Sequence, residues 1–183
     1  MPARLPARWI AILVVTLSSA LNYLDRQILP AVAPDLRSEL GLSNADYGLL
    51  LAAFSVAYAV GAPAAGWIID RIGLTWGLAA CVVLWSLAGA GSGLAGSFGM
   101  LLVMRALLGA GQAGGVPGSL KAVAAYLPAR ERALGSATTQ FGLSAGAIAA
   151  PLAASWFSAT GNWRWALIAT GLAGLLWAPL WLA

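Results

Sequence analysis

Long apolar stretches recur six times along the chain, separated by short polar breaks. Each run reaches the roughly 20 residues that a helix rising 1.5 Å per residue needs to cross a hydrocarbon layer about 30 Å thick. The pattern predicts spans at about 9–33, 47–69, 76–95, 98–126, 134–156 and 165–183. A helix satisfies its own backbone in lipid, and the even alternation of apolar and polar positions that a membrane barrel would need is not visible. The expected fold is therefore an all-α membrane protein, a bundle of six transmembrane helices. Breaks such as DLRSELGLSNAD after the first run, DRIGLT after the second and LPARERA after the fourth read as short links, which make successive helices antiparallel.

Composition strengthens this picture. The 183 residues are 61% hydrophobic and 9% charged, with a mean hydropathy of +0.84, far from the balance of a water-soluble domain. Basic residues set an orientation. With the N-terminus cytoplasmic, Arg4, Arg8, Arg71, Arg130 and Arg132 lie inside, and Arg37 and Arg164 outside. A net charge of +4 is then explained by basic cytoplasmic loops, and no nucleic-acid partner is expected. Trp9, Trp67, Trp76, Trp156, Trp163 and Trp165 stand near predicted span ends, where indole rings favour the headgroup level. The opening MPARLPARW resembles a basic signal region but lacks a small-residue cleavage site after a short apolar core, so an uncleaved anchor is expected.

Several chemistries lack residues. Cys81 stands alone, which excludes a disulfide framework, and the chain contains no histidine. Familiar zinc-peptidase motifs and Ser-His catalysis have nothing to stand on. No catalytic group, metal site or cofactor is expected, and the chain does not read as an enzyme.

Few ionisable residues lie away from the predicted ends: Asp25 and Arg26 in LNYLDRQILP, Arg105 in the fourth run, and Lys121 toward that run's inner end. A charge near a helix centre costs about 2.5–3.5 kcal/mol on insertion scales, so it calls for a partner or a pathway. One alternative is that Asp25 and Arg26 cap a short first span at the interface. The helical pattern, however, continues through QILPAVAP. Adjacent residues point about 100° apart on a helix, so the two do not serve each other alone. Asp25 and Arg105 share a similar outer depth and are expected to face one another, with Arg26 turned to a cavity. Lys121 either snorkels to the cytoplasmic surface or faces the pathway. The fourth run carries Gly109, Gly111, Gly114, Gly115 and Pro117, and the fifth places Gly142 and Gly146 in GxxxG spacing, which suits close helix packing and a bundle that can bend.

Two loops carry a resemblance. GWIIDRIG, from Gly66 through Asp70 and Arg71 to Gly73, resembles the G-x-x-x-D-R-x-G signature of the major facilitator superfamily, although Leu74 and Thr75 stand where that family continues with basic residues. LPARERALGSA, with Glu131 and Arg132, is similar to the same family's loop between spans four and five. Within the superfamily, NYLDR and RALLGAGQA resemble the anion:cation symporters, which include hexuronate, galactonate and sialin-type carriers. The resemblance implies the N-terminal six-helix half of a major facilitator fold, built of two inverted three-helix repeats, and transport of a small organic anion by proton-coupled alternating access.

The resemblance also implies roles. Asp25 is the expected proton-coupling acid and Arg26 the anion hook. Arg105 matches a site-organising arginine, and Tyr23, Tyr58 and Gln140 fall where galactonate-type carriers contact substrate. Lys121 matches a basic position further along the fourth span. Gly66, Asp70, Arg71, Gly73, Glu131 and Arg132 are expected in the gating loops. Gln112 stands where the family commonly shows a glutamate, so it can shape the substrate site but cannot release a proton. Coupling through that position is missing or falls to Asp25 alone.

The related carriers have twelve spans, and this chain supplies six. The expectations are a fragment, a truncated reading frame, or a half that pairs with a C-terminal six-helix half or another copy of itself. Its partners would be the lipid bilayer, a small organic anion and a proton, at the cell inner membrane. The competing expectation is a six-span membrane interaction protein, or a remnant, that does not transport.

Overall fold

The computed structural model describes residues 7–183; the expected cytoplasmic residue Arg4 lies outside them. Eight α-helices follow in order: α1 (Ala7–Ala31), α2 (Ala33–Leu40), α3 (Asn44–Ile72), α4 (Leu74–Gly93), α5 (Phe98–Gln112), α6 (Gly115–Tyr126), α7 (Arg132–Ala159) and α8 (Arg164–Leu182). A 3₁₀ turn, Ala129–Glu131, leads into α7. Six helical stretches are long and apolar enough to cross a membrane, with α5 and α6 together forming the fourth.

Two departures from the expected pattern arise at prolines and glycines. The segment read as a link after the first run is instead helix α2. Pro34 occupies its first turn, Asp35 favours that N-terminal end, and Gly41 closes it in the left-handed region at φ 64°, with the Leu42 amide donating to the Arg37 carbonyl (3.1 Å). The fourth span is interrupted at Ala113 and Gly114. Pro117 has no N–H to offer the Ala113 carbonyl, and consecutive glycines lower the cost of the irregular turn.

The other boundaries follow local chemistry. Ser43 and Asp46 cap α3 reciprocally, each side chain accepting from the other's backbone amide (3.1 and 3.0 Å). A single residue, Gly73 at φ 87°, separates α3 from α4. Only glycine adopts that conformation without strain.

Close approach, as GxxxG spacing suggests, joins α7 to α1. A Cβ at Gly142 would lie 2.5 Å from the Thr16 carbonyl oxygen, and one at Gly146 would collide with the Ala20 carbonyl. The helices also pair as α4 with α8 and α3 with α5. Two apolar clusters result. One gathers Ile28, Leu29, Leu36, Leu50, Leu101 and Leu167; the other gathers Val15, Val82, Trp85, Leu108, Trp177 and Trp181. The polar residues of α1 and α5 lie between them along the helices.

Much of the apolar surface points outward. Val60, Phe141, Ile148, Trp156 and Leu176 are exposed, an arrangement that suits lipid. Trp67, Trp76, Trp156 and Trp165 are exposed as well. Trp163 differs from them. It is buried and donates its indole N–H to Glu39 (2.8 Å), because α2 folds over it.

Candidate functional site

α1 presents Asp25 and Arg26 to different neighbours, as about 100° of rotation per residue requires. Arg26 leans toward α3 and α5. Its guanidinium carbon lies 4.9 Å from the ring centre of Tyr23, 5.0 Å from Phe54 and 4.6 Å from Tyr58, and its Nε donates to Gln112 Oε1 at 3.2 Å. Phe54 and Tyr58, one turn apart on α3, stack at 6.0 Å. Aromatic faces stabilise a guanidinium without neutralising it. The charge therefore stays available.

Arg105 shares this surface. Only 2% of it is exposed, and its guanidinium carbon lies 4.7 Å from the Phe54 ring centre. Tyr47, two turns before Phe54 on the same face of α3, lies within electrostatic reach. Among the described residues, neither Arg26 nor Arg105 has a carboxylate within 4.0 Å; the ion pairs are Arg8–Glu131, Lys121–Asp70, Arg130–Glu131 and Arg164–Glu39. Two cations thus flank one phenyl ring without a direct ion pair, although Asp25, like Tyr47, lies within electrostatic reach of Arg105.

Asp25 does not meet Arg105 as expected. Its carboxyl lies over Gly89 of α4, where Gly171 of α8 also closes in, and both oxygens are buried without a hydrogen-bond partner. Thr170 adjoins it on α8, but its hydroxyl donates to the Leu167 carbonyl (3.1 Å). The reason is azimuth. Arg105 projects toward α3, Arg26 follows it there, and the next side chain back on α1 is carried round to α4 and α8.

Gln112 sits behind Arg26. It is 1% exposed, and its amide bridges two points of α1: Nε2 donates to the Asn22 carbonyl (3.0 Å) while Oε1 holds Arg26. Pro30 adds a polar atom nearby, because it has no N–H for the Arg26 carbonyl. Gln140 is exposed on α7, and no hydrogen bond joins its side chain to Arg26. Reasoning from sequence missed Phe54, Tyr47 and Asn22. The available signal was the aromatic spacing 47, 54 and 58, which lines one face of a helix otherwise rich in alanine and aliphatic residues.

The signature loops gather at one end. Lys121 pairs with Asp70 and donates to the Gly66 carbonyl (2.8 Å), so it ties α6 to α3. Arg71 is exposed and stacks on Trp67 at 5.0 Å. Glu131 accepts from Arg8 (3.0 Å) and from the Trp9 indole (3.1 Å), joining α1 to the turn before α7. Arg132 donates to the carbonyls of Leu127 (3.2 Å) and Ala124 (3.0 Å), which α6 leaves open at its C-terminus. At the other end Arg164 donates to Glu39 (2.8 Å), Gly93 (2.9 Å) and Ala95 (2.7 Å), and Ser158 donates to Asp35 (2.6 Å).

A multi-pass helical bundle that holds arginines in its interior without direct ion pairs, between charged ties at both ends, defines an integral membrane protein. The chain belongs to the Major Facilitator Superfamily, whose sequence profile matches residues 15–183. It is 39% identical over 175 residues to a hexuronate transporter of Escherichia coli strain K12, covering 96% of this chain and 40% of that one. It is 37% identical over 175 residues to a galacturonate transporter of Dickeya chrysanthemi, covering 96% and 51%. Among solved structures, an inward-facing, occupied bacterial homolog of the human lysosomal transporter Spinster superposes with a TM-score of 0.85 at 26% identity, covering 98% of this chain and 44% of that one. The chain spans roughly two fifths to one half of the length of these relatives.

Proposed function

We propose that this chain is one six-helix half of an organic-anion transporter that carries a sugar acid or similar carboxylate across the cell inner membrane. A second six-helix half, or another copy of the chain, completes the path for alternating access. The observation that carries this reading is the pair Arg26 and Arg105, both set against the Phe54 ring, with Gln112 holding Arg26 and no carboxylate within 4.0 Å of either among the described residues. A guanidinium stays charged and offers a planar fork to a carboxylate. Hexuronate and galacturonate, named for the relatives, fit that chemistry.

In this reading Arg26 takes the carboxylate, Tyr23 and Tyr58 frame it, Arg105 supports the field, and Gln140 contributes from α7. Gln112 orients Arg26. Asp25, whose carboxyl finds no donor in the bundle, exchanges the coupled proton. The loop residues Gly66, Asp70, Arg71, Gly73, Glu131 and Arg132 organise the cytoplasmic end. The basic cluster of Arg8, Arg71, Lys121, Arg130 and Arg132 supports a cytoplasmic N-terminus.

The test is calorimetric titration of D-glucuronate into the chain held in lipid nanodiscs. Arg26→Ala is expected to remove binding, and Arg26→Lys to weaken it at least about tenfold, because lysine lacks the fork. Asp25→Asn is expected to bind without proton exchange in weakly buffered solution. Unchanged affinity in Arg26→Ala would overturn the carboxylate assignment, and unchanged proton exchange in Asp25→Asn would overturn the coupling assignment.

A further inference from the structure

A small polar cleft opens between α1, α6 and α7, one helical turn from Arg26. Its free volume is about 10 Å³, which admits one group the size of a water molecule. Ser18, Ser19 and Asn22 of α1 face Gly115 and Ser119 of α6 across it, and Leu143 of α7 closes one side. Leu143 is one turn from Gln140, and Asn22 is one turn from Arg26 on the same face of α1.

The hydrogen-bond inventory of the cleft is asymmetric. Ser18 and Ser19 both spend their hydroxyl protons on the Val15 carbonyl (2.7 and 3.1 Å), and Ser119 spends its own on the Val116 carbonyl (2.9 Å). Each serine therefore has only lone pairs left to offer. Asn22 supplies the opposite. It is 5% exposed, and its Nδ2 is buried without an acceptor. A group that suits this lining must accept from Asn22 and donate to a serine oxygen. A carboxylate cannot donate and an ammonium cannot accept; a hydroxyl does both.

We propose that the cleft is a subsite for one hydroxyl of the carried acid, so that Asn22 separates hydroxylated carboxylates from plain ones. The proposal rests on the organic-anion reading above and deepens it. Asn22 and Arg26 are four residues apart, a rise of about 6 Å along α1, comparable with the reach of a six-carbon acid. Gln112 joins the two positions, holding the Asn22 carbonyl with one end of its amide and Arg26 with the other. Carboxylate hook and hydroxyl subsite are thereby fixed at one spacing. Gly115 keeps the cleft open, since a Cβ there would lie 2.9 Å from Asn22 Nδ2.

The experiment compares D-glucuronate with cyclohexanecarboxylate, a six-membered ring acid without hydroxyls, by calorimetric titration into the chain in nanodiscs. Asn22→Leu is expected to lose about five- to tenfold in affinity for D-glucuronate and less than about twofold for cyclohexanecarboxylate, the scale of one unmade hydrogen bond. Gly115→Ala, which keeps the asparagine but pushes its Nδ2 aside and fills the cleft, should act in the same direction and guards against a folding defect in the first variant. If both variants keep the wild-type ratio of the two affinities while Arg26→Ala still abolishes both, the cleft holds only solvent and the subsite is overturned with the carboxylate reading intact. If the wild-type chain binds neither acid, the organic-anion reading falls and the subsite falls with it.

Discussion

Replacing Gln112 by glutamate puts a carboxyl group where a neutral amide now holds Arg26. The Oε1 to Nε distance of 3.2 Å would bring the new charge to within about 4 Å of the guanidinium centre, where two unit charges attract by about 4 kcal/mol at an effective dielectric constant near 20. Even a third of that, set against an incoming carboxylate, is about 1.4 kcal/mol, or tenfold in affinity. The ionised variant also cannot donate to the Asn22 carbonyl, as Gln112 Nε2 does at 3.0 Å, but that unmet acceptor costs about 1–3 kcal/mol of stability in the free and the bound protein alike, so the affinity change rests on the charge. Gln112→Glu should therefore bind D-glucuronate at least about tenfold more weakly than the natural chain at alkaline pH. As pH falls and the new carboxyl takes up a proton, it regains the shape and hydrogen bonding of glutamine, and affinity should recover. Titration at several pH values between 5 and 9 reads the loss and the recovery. A variant with the wild-type affinity at every pH would refute the view that Gln112 governs the charge state around Arg26.

The tie at the far end from the signature loops gives a second prediction: Arg164→Ala, which deletes donors to Glu39, Gly93 and Ala95, should lower stability by about 1–3 kcal/mol, seen as a reduced thermal midpoint in detergent. The hydrogen bond from Arg164, aided by that from Trp163, holds the Glu39 carboxyl below its ordinary value of 4.5. Its contribution is therefore present above about pH 4.5 and lost as pH falls through the lower folded value, so Glu39→Gln and the natural chain should differ in midpoint at pH 7 and converge in strong acid. Helix packing gives a third. Gly146→Val, which would collide with the Ala20 carbonyl, should abolish the folded monomer in size-exclusion chromatography, while Gly66→Ala, with nothing within 4 Å of the added Cβ, should elute as the natural chain does.

Order along each helix was legible from the sequence, and azimuth around it was not. Run length alone placed six apolar helices, and counting along the first and fourth runs set Asp25 and Arg105 at a shared depth; in the structure both lie between the two apolar clusters. Which neighbour each side chain meets depends on the rotation of each helix about its own axis, which neither run length nor residue order carries. Arg105 turns toward Phe54 and Tyr47, and Asp25 toward Gly89, although equal depth suggested that they would pair. Helix α2 was hidden for a different reason: its eight residues are too polar and too few for a hydropathy pattern to register. Trp163 was read as a headgroup anchor because span ends usually carry such rings, and only the fold of α2 across α8 explains its burial.

Fastened at both extremities, the six spans would move as one strut in the transporter proposed above. Lys121, Glu131 and Arg132 stitch one end, and Arg164 and Asp35 the other, so little internal sliding is left to absorb a push. A tilt of about 10° about mid-depth in a layer some 30 Å thick would carry each end about 2.6 Å, in opposite directions. Against the second half proposed above, a gap widened on one side of the membrane would then be a gap closed on the other.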